Sequence, residues 1–221
     1  MRTIAVIGRK GGSGKTTIAV HLAIGLHLRG RRTVVADIDP QLSAMEVLRA
    51  RRDEGPRAIA SAGPKLFTLQ VDMARAGTDA LVIDTPAVLE EDVAQAVVLA
   101  DLALLVVRPT FLDLAAAVRT SDIIRRMRKP GLVVLSQAPV GRGAAEAPAV
   151  IRATEALRLL RLPVAPSVIR ARAAYQTVVE GGRSTEESSD PTAALEMSRF
   201  CDFVDRFAFA PRHGIIARSD A

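Results

Sequence analysis

The sequence predicts an α/β protein with a doubly wound, mostly parallel sheet and helices on both faces. Two observations carry this expectation. Short apolar runs alternate with helical-period segments as far as about residue 170, the pattern of strands joined by crossover helices. The first run also feeds straight into a glycine-rich loop and a helix, and two later runs end in aspartate.

Thr3-Ile4-Ala5-Val6-Ile7 is a run of buried-strand type, followed by Gly8-Arg9-Lys10-Gly11-Gly12-Ser13-Gly14-Lys15-Thr16-Thr17. Ile18, Leu22 and Leu26, with Ala19 and Ala23 beside them, then mark one face of a helix that Gly30 is placed to end. Strand, glycine loop and helix form the context a phosphate-binding loop needs. Gly11, Gly12 and Gly14 let backbone N–H groups turn inward onto phosphate oxygens, with Ser13 between them. Lys15 adds a point charge at the β- and γ-phosphates, and the Thr16 hydroxyl can coordinate Mg²⁺. A nucleoside triphosphate with Mg²⁺ is therefore the expected ligand. Arg9 stands where the pattern usually has its first glycine.

The second strand, Thr33 to Asp37, runs on through Ile38-Asp39-Pro40-Gln41, and the third, Ala80 to Asp84, through Thr85-Pro86. Ligands of a parallel sheet sit at the carboxyl ends of its strands. Asp37, Asp39 and Asp84 can thus gather beside the loop, where Mg²⁺ and an attacking water are needed. Taken singly, each would be read as a helix cap or turn residue. Three strand ends in this order favour the site.

Further helices are expected near 42–52, 90–99, 111–127, 145–160, 172–180 and 192–207, and strands near 66–70, 102–107, 131–135 and 164–169. Gly55-Pro56 and Gly63-Pro64 punctuate the connection after the second helix. One domain over 1–210 is expected, followed by a polar tail over 211–221. Phe200, Phe203, Val204 and Phe207 form an apolar stripe on the last helix. Asp202 and Asp205 balance Arg199 and Arg206 on its polar face, so docking onto the core is expected, not a membrane surface.

These residues resemble the ParA/MinD family of P-loop NTPases of deviant Walker A type. The carriers are Lys10-Gly11-Gly12-Ser13-Gly14-Lys15-Thr16-Thr17, Asp37-Ile38-Asp39-Pro40-Gln41 and Asp84-Thr85-Pro86, continued in Ala100 to Thr110 and Leu112-Asp113-Leu114. Val168 to Tyr175 and Glu187-Ser188-Ser189-Asp190 are similar to the short plasmid-partition ParA proteins. The resemblance implies an ATPase that uses ATP and Mg²⁺. Lys10 would reach the phosphates of a partner subunit's nucleotide, while Lys15 binds those of its own. Thr16 would hold Mg²⁺, and Thr17 would contact the α-phosphate side. Asp39 would position the attacking water, with Asp37 and Asp84 acting around the metal. It also implies an ATP-dependent homodimer, non-specific binding to double-stranded DNA and a ParB-like centromere-binding or cargo adaptor protein. The location implied is cytoplasmic, on the nucleoid. Segregation of a plasmid or chromosome region is the first reading, and positioning of a protein cargo the alternative. A P-loop metabolic enzyme is the rival from another class.

Ala87 replaces a second proline common in relatives, and Ser136-Gln137 replaces the common asparagine-containing contact to the base. By the same resemblance, which places this stretch near the DNA-binding surface of ParA-type proteins, Arg170 and Arg172 are the leading DNA-binding candidates, with Arg158, Arg161 and Arg183 behind them; lining a dimer interface or the base-binding edge is the other reading of the first two.

Composition agrees. A chain of 221 residues with 49% hydrophobic residues suits one α/β domain. No apolar run approaches the roughly 18 residues of a membrane span, and the first strand leaves no room for a signal peptide. Cys201 is the single cysteine, so no internal disulfide can form. His21, His27 and His213 lack partners at metal-ligand spacing, and no nucleophile triad can be assembled. A net charge of +6, carried mostly by arginine, favours an anionic macromolecular partner; a genome rich in arginine codons would give the same balance.

Overall fold

The computed structural model describes residues 1–87, 90–143 and 145–210. Six strands form one sheet: β1 (Arg2–Ile7), β2 (Thr33–Asp37), β3 (Arg57–Ala60), β4 (Ala80–Asp84), β5 (Leu102–Val107) and β6 (Gly131–Leu135). Their order is β3-β2-β4-β1-β5-β6, and every pairing is parallel. The fold is the doubly wound α/β fold that the sequence predicts. β1, β2, β4, β5 and β6 are buried almost throughout because helices cover both faces, which explains their continuous apolar runs.

The helices are α1 (Lys15–Leu28), α2 (Ser43–Arg49), α3 (Leu66–Arg75), α4 (Glu90–Leu99), α5 (Phe111–Arg126), α6 (Pro148–Leu157), α7 (Ala174–Thr177) and α8 (Pro191–Phe209). One core joins α1 and α8 to the sheet through Ile18, Leu22, Leu26, Met197, Phe200 and Val204. The core on the other face takes Leu66, Met73, Val93, Val97, Ala117, Ile124 and Leu157. α1 is buried on more than the predicted face, with His21 and Ile24 at 0% exposure, because α8 packs along it. Gly30 ends it at φ 80°, which residues carrying a Cβ adopt only with strain.

Two sequence expectations fail, one in the connection between β2 and β4 and one after β6. The strand expected near 66–70 is the start of α3, because Leu66, Leu69 and Met73 recur at helical spacing while Phe67 is 64% exposed. The strand lies earlier, at β3, a half-exposed edge strand of four residues directly after Pro56. The strand expected near 164–169 is a chain segment following the edge of β6. It holds isolated bridges, Val133 to Val164 and Ala138 to Arg170, and Pro166 has no N–H to continue a ladder.

α8 docks onto the core through Met197, Phe200, Cys201 and Val204, which are fully buried. Of the expected stripe, Phe203 is half-buried and Phe207 is exposed, because the buried face is turned toward 197, 201 and 208. Arg29–Asp202 and Arg31–Asp205 ion pairs tie the polar side to the end of α1. Among the described residues, no helix is long and apolar enough to cross a membrane. The expected polar tail, 211–221, lies outside the described residues.

Candidate functional site

β1 lies at the centre of the sheet, so the loop leaving it opens where connections diverge to either side. Gly8 is required by packing, since a Cβ there would lie 2.8 Å from the Val106 carbonyl. Gly12 and Gly14 take φ of 69° and 92°, and Gly14 caps α1 through its backbone alone. The loop therefore presents N–H groups and a helix N-terminus to one cleft of about 580 Å³. Gly11 to Thr17, Asp39, Gln41, Pro86 and Gln137 line it. The sheet register makes Asp37 and Asp84 direct partners across β2 and β4, and Asp84 the partner of Val6 beside the loop.

Asp84 is fully buried, and no hydrogen bond reaches either of its carboxylate oxygens. Burial pushes its pKa up to about 7; the nearby Thr16 hydroxyl and Lys15 ammonium pull it down, and Asp37 and Asp39 push it up. Burial also raises Asp37, opposed by backbone N–H groups of Met45 at 3.0 Å and Asp39 at 3.1 Å. Lys15 is lowered by burial, with Asp84 and Asp39 holding its charge; its Nζ donates to the Lys10 carbonyl at 3.4 Å.

Orphaned oxygens on Asp84 beside the Thr16 hydroxyl fit a Mg²⁺ site. No cluster of three or more acidic, His or Cys groups able to hold a metal alone occurs among the described residues. Asp37 fits less fully, since each of its oxygens already accepts a backbone N–H.

Asp39 lines the cleft while its Oδ1 accepts the Gln41 N–H at 2.9 Å. Lys10 is not part of the cleft lining. It borders a shallow depression with Arg9, Val107 and Asp113.

A second cleft of about 350 Å³ continues from the first through Gly14, Thr17 and Gln137. Ile18, Ile169 and Tyr175 give it apolar walls of a size to take a nucleoside. Arg170 and Arg172 lie here. Arg170 holds Glu146 through both carboxylate oxygens, at 2.8 and 2.7 Å, and donates to the Pro139 carbonyl. Arg172 donates to Glu196 at 3.5 Å, and Glu196 also accepts the Tyr175 hydroxyl at 2.8 Å.

Two features of the site were not assigned from sequence. Ser136 and Gln137 clamp the loop: Ser136 Oγ donates to the Ser13 carbonyl and Gln137 Nε2 to that of Gly12, both at 2.8 Å. Beside Gly12, the Arg108 guanidinium is held by Asp113 through Nε at 2.9 Å and Nη2 at 3.2 Å. Thr110 also donates to Asp113 and caps α5. The Thr-x-x-Asp spacing was the available signal for that brace.

Fold and site together define a P-loop nucleotide-binding protein. Residues 4–201 match the CobQ/CobB/MinD/ParA nucleotide binding domain, and the chain belongs to that family. It is an ATPase of the ParA/MinD type. It is 34% identical over 188 residues to maintenance of carboxysome distribution protein A of Halothiobacillus neapolitanus, covering 81% of this chain and 84% of that protein. Among solved structures, the cell division ATPase MinD of Pyrococcus furiosus superposes with a TM-score of 0.76 at 20% identity, covering 94% of this chain and 99% of that one. An ATP complex of a McdA variant from Cyanothece gives 0.72 at 17% identity, covering 97% and 98%. The last two likenesses concern the fold.

Proposed function

We propose that this chain is a positioning ATPase: ATP brings two copies together face to face, the pair holds double-stranded DNA without sequence preference, and slow hydrolysis releases it. The observation that supports this reading is the separation of the two loop lysines. Lys15 lines the cleft with Thr16 and Asp39, whereas Lys10 stands outside it. A cation on the outer side of a phosphate loop is placed to compensate a second triphosphate brought against the first.

Mg²⁺, when bound, would supply positive charge for phosphoryl transfer. Thr16 and Asp84 would hold it, with Asp37 behind them. Lys15 fixes the phosphate chain, Asp39 orients the attacking water, and Thr17 borders both clefts on the α-phosphate side. The second cleft seats the nucleoside. A partner protein, a centromere-binding protein or a cargo adaptor, would couple turnover to movement on the nucleoid.

Two cargoes fit this engine. Segregation of a plasmid or chromosome region is the reading from sequence. The 34% identity to a carboxysome distribution protein favours a protein assembly carried over the nucleoid. Sedimentation and DNA retention with ADP and with a non-hydrolysable ATP analogue test the engine. A dimer that retains DNA only with the analogue is expected; a monomer in both states rejects the reading.

A further inference from the structure

Arginine is placed in two ways on this chain. Arg29, Arg51 and Arg170 are tied into ion pairs of 3.0, 2.8 and 2.7 Å that staple elements together. A second group has no partner among the described residues. α5 and α6 pack side by side on one face of the sheet, with Ala117 and Ile124 of the first and Val150, Ala153 and Leu157 of the second buried inward. The 3₁₀ turn Arg158–Leu160 continues α6 and packs against α5.

Arg119, Arg126, Arg128, Arg152, Arg158 and Arg161 are all exposed on the outer side of these elements. Among the described residues, none of their side chains makes a hydrogen bond or an ion pair. The outer carboxylates here are Asp122, already engaged by Arg125 at 3.3 Å, and Glu155.

We propose that this outer face of α5, α6 and the turn after it is the surface that meets duplex DNA, through its phosphates. The inference rests on the DNA reading above and moves the contact away from Arg170 and Arg172. Those two are occupied by Glu146 and Glu196 at the wall of the second cleft.

The chemistry favours duplex DNA over other anionic partners. Arg119 and Arg126, seven residues apart, share one face of α5, so the charges form a stripe and not a point. Beyond Phe111 the sequence from 112 to 161 contains no aromatic residue, which removes the stacking platform that single strands need. The inward apolar sides of α5 and α6 are buried in the core, while Phe111, Leu112, Val118, Ile151 and Leu159 are exposed on the same elements, so a lipid surface is the rival the test must separate.

The test uses the full chain with a non-hydrolysable ATP analogue and Mg²⁺, and titrates a labelled duplex of random sequence across salt concentrations. The Arg119→Gln/Arg126→Gln/Arg158→Gln variant should bind at least about 10-fold more weakly near 0.1 M salt, with a log–log salt slope smaller by about 3 if one subunit of the pair makes the contacts and about 5 if both do. Dimer mass and DNA-free ATP hydrolysis should not change, and Arg170→Gln should retain the wild-type salt slope. Wild-type affinity and slope in the triple variant overturn this surface and leave the DNA reading standing. Failure of the wild-type chain to bind duplex at low salt removes the DNA reading and the proposal together. Loss of binding to phosphatidylserine vesicles, with duplex binding intact, overturns the proposal in favour of a lipid surface.

Discussion

The hydroxyl of Ser136 donates to the carbonyl of Ser13 at 2.8 Å, joining the end of β6 to the floor of the phosphate loop across 123 residues of sequence. Both residues are buried, at 2% and 1% exposure. Ser136→Ala leaves that carbonyl without its donor at a cost of about 1 kcal/mol, or about 5-fold in ATP affinity if the loop loosens. Calorimetric titration with ATP and Mg²⁺ reads this directly. Unchanged affinity would mean that the Gln137 bond to Gly12 holds the loop alone.

Lys10→Ala should keep part of the ATP affinity and lose the ATP-dependent dimer and hydrolysis. Lys15 and the loop N–H groups remain to bind the phosphates, while the cation outside the cleft is gone. Sedimentation with a non-hydrolysable analogue decides, and a normal dimer in the variant contradicts a role across the subunits.

Asp39→Ala should bind ATP and dimerise, because it removes the water-positioning carboxylate and no phosphate contact. Hydrolysis should fall at least about 10-fold, and the dimer should persist in ATP itself. Retained hydrolysis would reduce Asp39 to the turn residue that its bond to the Gln41 N–H describes.

Two buried groups give the unliganded chain opposed pH dependences. Burial pushes Asp84 up from 3.8 to about 7. The folded state holds that proton more tightly, so its contribution is present below pH 3.8 and lost as pH rises through 7. His21, buried with its ring bonded to the Thr17 carbonyl, is lowered from 6.5 to about 4; its contribution is present above 6.5 and lost as pH falls through 4. Asp84→Asn removes the first effect. Relative to wild type the variant should gain little stability at pH 4 and on the order of 3 kcal/mol at pH 7. Thermal melts without Mg²⁺ and nucleotide check this, and an advantage that does not grow with pH rejects it.

The core of the site was legible in sequence because its parts are local. Each of Gly8 to Thr17, Asp37 and Asp84 sits at the end of an apolar run, and parallel pairing brings those ends together. The rest depended on neighbours. Arg57 to Ala60 carries no alternation because an edge strand is half-exposed on both sides, and Leu66 to Val71 shows a helix only once Met73 is counted. Ser136 and Gln137 gave no sign of their partners, which are backbone carbonyls more than a hundred residues away. Arg170 and Arg172 looked available because Glu146 and Glu196 are distant in sequence.

The central position of β1 has a consequence for the nascent chain. The loop that follows it is made before its neighbours in the sheet, which begin at Ala80 and Leu102, and before its clamp at Ser136. Contacts across such separations form late in folding. On the ribosome the loop would therefore emerge long before it can grip a nucleotide, and the capacity to bind ATP would arrive abruptly as the stretch ending in Gln137 clears the exit. A ribosome-bound fragment stopped before that stretch carries every glycine of the loop and lacks the wall that holds them in place.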